Sequence, residues 1–191
     1  MRQRLFYGFF AFLAVLAAVF APGVARAWSD IPESESKILT NTARLDMVRV
    51  QTKIDGGRNT RMEYAVMMSK NQESWLSIFV NEAYPGSYFR SSDSDPQKSA
   101  KMFTIFEQAN PSFEREGKSG GVRHIVAKLA DRECVVITRH AGTTGSDANS
   151  ADGTTLMLIM NYCLPKGVTA SNDHVTTAVA SVGIRGQFDP K

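Results

Sequence analysis

Hydrophobic positions along this chain follow three rhythms, and each predicts a different kind of element. The first is continuous. Leu5 to Ala21 is an apolar run preceded by Arg2 and Arg4, broken by Pro22 and Gly23, and followed by the small-residue triplet Ala25-Arg26-Ala27. A basic start, an apolar middle and an A-x-A site are the layout of a secretory leader. The run is long for a leader and short for a membrane span of about 20 residues, and the breakers sit where cleavage requires them. The expectation is a signal peptide over 1–27, cleaved after Ala27, and a mature protein starting at Trp28 in the periplasm or outside the cell.

The second rhythm is alternation by two. Val48, Val50, Thr52 and Ile54 alternate with polar residues up to Gly56-Gly57, after which Met62, Tyr64, Val66 and Met68 alternate again. That pattern predicts a hairpin with one buried face. Trp75 to Val80 is apolar on both faces and predicts a central strand. Further strands are expected over Val122 to Leu129, Cys134 to Arg139 and Thr154 to Cys163, the last two joined by a Gly/Ser/Asp/Thr-rich loop from Gly142 to Gly153.

The third rhythm is helical. Asp95 is a good N-cap with Pro96 at the first helical position; Met102, Phe103, Phe106 and Ala109 share a face, and Asn110-Pro111 ends the helix. Ser171 caps a last helix with Val175, Ala178, Val179 and Val182 on one face and Gly183 at its end. The sum is one α+β domain over 28–191 with an irregular lead-in over 28–41. Its expected core is a mostly antiparallel sheet of about six strands, in a strand-strand-strand-helix order repeated twice.

Two cysteines, Cys134 and Cys163, lie in the exported part and predict one disulfide in an oxidising compartment. If the last two strands pair with Cys134 opposite Cys163, Arg139 faces Leu158 and the loop tip falls near Gly145 to Gly153. Closing about 30 residues restricts the unfolded chain by roughly 3–4 kcal/mol in the entropy model. Charge changes the picture by disappearing. Of 22 basic residues, Arg2, Arg4 and Arg26 belong to the leader, which leaves 19 against 19 acidic ones. A neutral mature chain without basic clusters argues against nucleic-acid or anionic-lipid binding.

The catalytic motifs fail on context. Gly117-Lys118-Ser119-Gly120-Gly121 matches G-x-S-x-G, but that chemistry needs a strand before the Ser and a helix after it. Here a charged stretch precedes it and a strand follows, so a flexible turn is expected. Ser34-Glu35-Ser36-Lys37 contains S-x-x-K without its partner motifs. Asp147, Asn149 and Asp152 before Gly153 fall short of a calcium loop, with Ala151 at a ligand position. His124, His140 and His174 have no metal-ligand spacing, and no metal or cofactor is expected.

What remains is a set of candidate surfaces. Trp75, Phe79, Tyr84, Tyr88 and Phe89 cluster around Pro85-Gly86, and Tyr is common at interfaces. The candidate ligand or partner surface is Tyr84, Tyr88, Phe89 and Arg90, with Arg139, His140 and Asp147 at the hairpin tip. The leading expectation is an exported, non-catalytic bacterial envelope protein that binds a protein partner or small ligand. The alternatives are a small envelope-polymer hydrolase using carboxylates such as Glu82, Asp93 or Glu133, and an envelope assembly subunit with an exposed sheet edge.

Overall fold

The computed structural model describes residues 29–41, 47–56, 60–90, 95–119, 122–142 and 153–191. The predicted leader and Asp147 therefore lie outside the described residues, as do Asp93 and the tip of the long hairpin.

Among the described residues, ten strands and three helices follow one another. They are β1 (Ser29–Asp30), β2 (Ile38–Thr40), β3 (Met47–Gly56), β4 (Thr60–Ser69), β5 (Trp75–Ala83), α1 (Pro96–Ala100), α2 (Thr104–Ala109), β6 (Ser112–Ser119), β7 (Val122–Leu129), β8 (Arg132–Ala141), β9 (Leu156–Cys163), α3 (Asn172–Ala180) and β10 (Val182–Ile184). The main sheet has the order β1-β3-β4-β5-β9-β8-β7-β6, and β2 and β10 form a separate two-stranded sheet. The expected strands are its middle, flanked by β1 and β6 at the edges. Every pairing between these strands is antiparallel.

Two meanders build the main sheet and meet at the β5–β9 pair. Those strands are central because they are apolar on both faces, as the continuous run from Trp75 predicted: Leu76 to Val80 and Leu156 to Met160 are all buried. Both sheet faces are accordingly covered. On one, Ala65, Met67, Leu76, Ile78, Val80, Ile137, Leu158 and Met160 pack with Val175 and Ala178 of α3 and with Ile38 and Ile184 of the small sheet. On the other, Phe79, Ile159, Val136, Ile125 and the two cysteines pack under Ala100, Phe103 and Phe106 of the α1–α2 segment. Each such Leu, Ile or Phe side chain contributes about 1.5–3 kcal/mol by leaving water.

The double cover corrects several sequence-based expectations. On β4 the fully buried residues are Glu63, Ala65 and Met67, while Met62, Tyr64, Val66 and Met68 are half-buried. The alternation read for one buried face does not tell which face lies deeper when both are packed. Residues 29–41 are not irregular: they hold β1, a 3₁₀ turn over Glu33–Glu35, and β2. Glu63 fixes this segment, because its carboxylate accepts from Ser36 Oγ, from Lys37 N at 3.1 Å and from Ile38 N at 3.2 Å. A carboxylate 2 % exposed needs such donors to stay in the core.

The helix over 96–109 is two helices. Asp95 caps the first by accepting from Gln97 N at 2.9 Å, and Asn110 ends the second in the left-handed region. Between them Phe103 is extended, which lets its ring reach Phe79 at 5.1 Å and Phe106 at 6.2 Å. Ala109, expected on the buried face, is exposed. Val182 and Gly183 belong to β10 rather than to the last helix, whose capping box joins Ser171 and His174 as the Ser171 cap predicted.

The strand-strand-strand-helix order holds in neither half: β1 and β2 precede the three expected strands of the first half, which are followed by two helices. The second half has four strands before α3, because Ser112–Ser119, which its charge marked as non-strand, forms the edge strand β6. The helices of the two halves also cover opposite faces of the sheet. A two-fold relating β5 to β9 would place them on the same face, so the order is not a symmetric repeat.

Candidate functional site

Strand register divides the sheet into two ends. At one end Trp75, Cys163 and Cys134 stand side by side on β5, β9 and β8. The expected disulfide is there: Cys134 and Cys163 are directly opposite, bonded, with Cα atoms 4.0 Å apart and neither side chain exposed. Arg139 faces Leu158, as the cysteine register predicted. We call this the closed end. Its charged groups are matched, although Asn161 Nδ2, buried two positions from Cys163, has no partner among the described residues: the Arg132 guanidinium lies 4.4 Å above the Trp75 ring and donates to the carbonyls of Glu73 at 2.9 Å and Leu164 at 3.4 Å. Glu133 accepts from Ala170 N at 2.8 Å and from Arg115 at 3.4 Å, and Asp131 pairs with Lys166 at 2.6 Å. Those contacts with Lys166, its hydrogen bond foremost, hold the Asp131 carboxyl below its usual range.

The opposite end, where Glu82, Leu156 and Ala141 are neighbours, brings most of the candidate surface together. Tyr84 to Arg90 leaves β5 there. Phe89 then pairs with Thr154, through Phe89 N to Thr154 O at 2.8 Å and Thr154 N to Phe89 O at 3.0 Å. Thr154 also places its Oγ1 2.7 Å from His140 Nδ1. The two surfaces chosen separately from the sequence are thus one region joined through Thr154, a residue the sequence did not single out. Tyr84 and Tyr88 are 38 % and 44 % exposed, the large hydrophobic side chains most open to solvent among the described residues. The Arg90 guanidinium lies 5.9 Å from the Tyr88 ring centre.

One predicted grouping does not survive. Arg139 and His140 are consecutive on β8, so the pleat sends them to opposite faces. His140 lies on the α1–α2 face. Arg139 lies on the α3 face, where its guanidinium stacks 3.5 Å from the Phe188 ring centre. Burial lowers the Arg139 pKa from its ordinary value.

Two further residues, Asn81 one position from this end and Thr138 midway along β8, carry a signal that the sequence did not show. Asn81 and Thr138 are 4 % and 2 % exposed, and neither Asn81 Oδ1 nor Thr138 Oγ1 has a hydrogen-bond partner among the described residues. Each follows three apolar residues of its strand, a position that does not by itself mark an unmatched oxygen. A buried polar atom left unmatched costs about 1–3 kcal/mol.

The remaining chemical candidates resolve into structure. Gly117 pairs with His124 across β6 and β7, and a Cβ on Gly117 would lie 2.9 Å from the imidazole. The first glycine of the G-x-S-x-G match is therefore room for a ring, on a strand followed by a strand. Burial first, and Arg115 second, lower the His124 pKa against the opposing pull of Glu116. Lys37 of the S-x-x-K match lies 2.5 Å from Glu82. Glu82 and Glu133 occupy opposite ends of the sheet, eight positions apart along the strands, or about 26 Å. They do not form the carboxylate pair of a hydrolase. The edge strand β6 carries Glu114, Arg115, Glu116 and Lys118 and an irregularity at Phe113/Arg115, devices that guard an edge against pairing. Among the described residues no three His, Cys, Asp or Glu side chains are grouped to hold a metal. No family model, curated protein or solved structure matches this chain.

Proposed function

We propose that the chain is an exported, non-catalytic envelope protein whose open sheet end binds a small ligand or a partner segment. The observation that carries the reading is the exposed aromatic surface of Tyr84 and Tyr88 on the loop that Phe89 ties to Thr154 and His140. Tyr84 and Tyr88 are exposed there, and buried Asn81 Oδ1, one position from the open end, has no partner among the described residues, as is also true of Thr138 Oγ1 at mid-strand and Asn161 Nδ2 nearer the disulfide. Binding sites combine aromatic contact surface with a few placed polar groups. Export is supported by the leader-like first 27 residues and by a disulfide, a bond that persists in oxidising compartments.

The test uses mature protein purified from the periplasm, labelled with nitrogen-15. It is titrated with muropeptides, disaccharides, amino acids and short peptides while amide shifts are followed. The expected result is a saturable response confined to residues 81–90, 138–141 and 153–157. A response centred on the disulfide end, turnover of peptidoglycan by the protein, or silence across the whole panel overturns the reading.

A further inference from the structure

We infer that Arg139, beside Phe188, is an oxyanion site for the carboxylate or phosphate group of a ligand. This deepens the proposed binding role of the open end and rests on it.

Two arginines on the same strand differ in what they find to bond. Arg132 and Arg139 both stack on an aromatic ring, at 4.4 Å and 3.5 Å from the ring centres. Stacking leaves the N–H edges of a guanidinium pointing outward, where they need acceptors. Arg132 finds two carbonyl oxygens. Arg139 makes no hydrogen bond or ion pair with a described residue. Asp189, next in the chain to Phe188, forms no ion pair with it. Arg139 is nevertheless half-buried, between Leu158 opposite and the apolar cluster that Phe188 and Ala141 border. A cation in that position is stabilised by an anion more than an exposed one would be, because screening by water is reduced.

The surrounding charges leave room for a negative ligand. On this face near the open end, Glu82 is occupied by Lys37, and Glu63 by Ser36 and the amides of Lys37 and Ile38. Arg185 donates its Nε to Ser36 O at 2.9 Å. Arg61 stands opposite Glu82 on β4 and makes no ion pair with a described residue. With Lys37, Arg61, Arg139 and Arg185 against Glu63, Glu82 and Asp189, the balance is +4 − 3 = +1 in a mature chain whose formal charge is zero. The phenyl ring 3.5 Å from the guanidinium carbon covers one side of Arg139, and a guanidinium's donor edge matches the two-oxygen geometry of a carboxylate or phosphate.

The experiment reads the arginine Nε–H cross-peaks of the mature protein during titration with sodium acetate, and separately with inorganic phosphate, at constant ionic strength. The Arg139 peak is assigned by its loss in Arg139→Lys. The expected result is a saturable shift of that peak with one or both anions while the Arg132 peak stays in place. A melting temperature that rises with the same anion should lose that response in Arg139→Met. The acetate and phosphate arms tell a carboxylate ligand from a phosphorylated one. If the Arg139 and Arg132 peaks respond equally or not at all, Arg139 is a solvated side chain covering apolar surface, and the inference is overturned. Tyr88→Ala separates the two ideas. An unresponsive Arg139 alongside panel binding that Tyr88→Ala removes defeats this inference alone, whereas absence of both defeats the binding role as well.

Discussion

The two ends of one sheet use the same kinds of residue to opposite effect. At the closed end an arginine on a tryptophan donates to two carbonyls, a glutamate takes a backbone amide, and a disulfide joins facing strands. At the open end an arginine on a phenylalanine donates to no described residue, while buried side-chain atoms without described partners, on Asn81, Thr138 and Asn161, are spread along the strands between the two ends. Composition cannot account for this, since β8 supplies both arginines. Polar groups matched internally add to stability and are used up as contacts, whereas groups left unmatched lower stability and remain available to something outside the chain.

The largest expected effect tests the closed end. Replacing Cys134 and Cys163 together by Ala should lower unfolding free energy by about 2–4 kcal/mol, read by urea denaturation, and leave ligand responses at the open end intact. Loss of both together would show that the ends are coupled rather than distinct. The next effect compares the arginines directly. Arg132→Met should cost about 2 kcal/mol, since it removes charged donors from two carbonyls. Arg139→Met should change stability by less than about 0.5 kcal/mol, because Met keeps the packing and no described acceptor is lost. Equal losses would erase the contrast.

Thr138→Val should raise stability by up to about 1 kcal/mol, as it replaces an unmatched hydroxyl by a methyl group of similar shape. A loss would mean that the hydroxyl is matched, by ordered water or a retained ligand. The smallest effect concerns His124, which belongs to neither end. Its folded-state pKa lies below the ordinary value of 6.5, with burial the main cause. The unfolded chain therefore takes up the proton first as pH falls. Stability should be fully present above pH 6.5, decline below it, and level off beneath the folded-state value. In His124→Gln that part of the slope should vanish in denaturation curves taken across this range.

Much of the closed end was legible in the sequence. Two cysteines behind a leader-like N-terminus implied a bridge, and facing cysteines set the β8–β9 register down to Arg139 opposite Leu158. The open end was legible only in pieces. Tyr84 to Arg90 and His140 could be chosen as polar or aromatic residues near long loops, but their meeting through Thr154 depends on β5 lying beside β9, a contact between distant parts of the chain. Arg139 and His140 were adjacent in sequence and were grouped for that reason, although strand geometry separates them. Asn81 and Thr138 looked like ordinary strand residues, because whether an oxygen is matched is a property of its neighbours.

By itself the sequence determined the local elements: strands where apolar residues alternate or run on, helices where Asp95 and Ser171 cap, and a bridge between the only two cysteines. These depend on interactions a few residues apart or on a forced pairing. Only the tertiary structure decided that both sheet faces are covered, that the lead-in becomes β2 against β10, and that Arg132 finds carbonyl acceptors while Arg139 does not. Burial and hydrogen-bond matching arise between segments far apart in the chain, and no local pattern specifies which partners will be within reach.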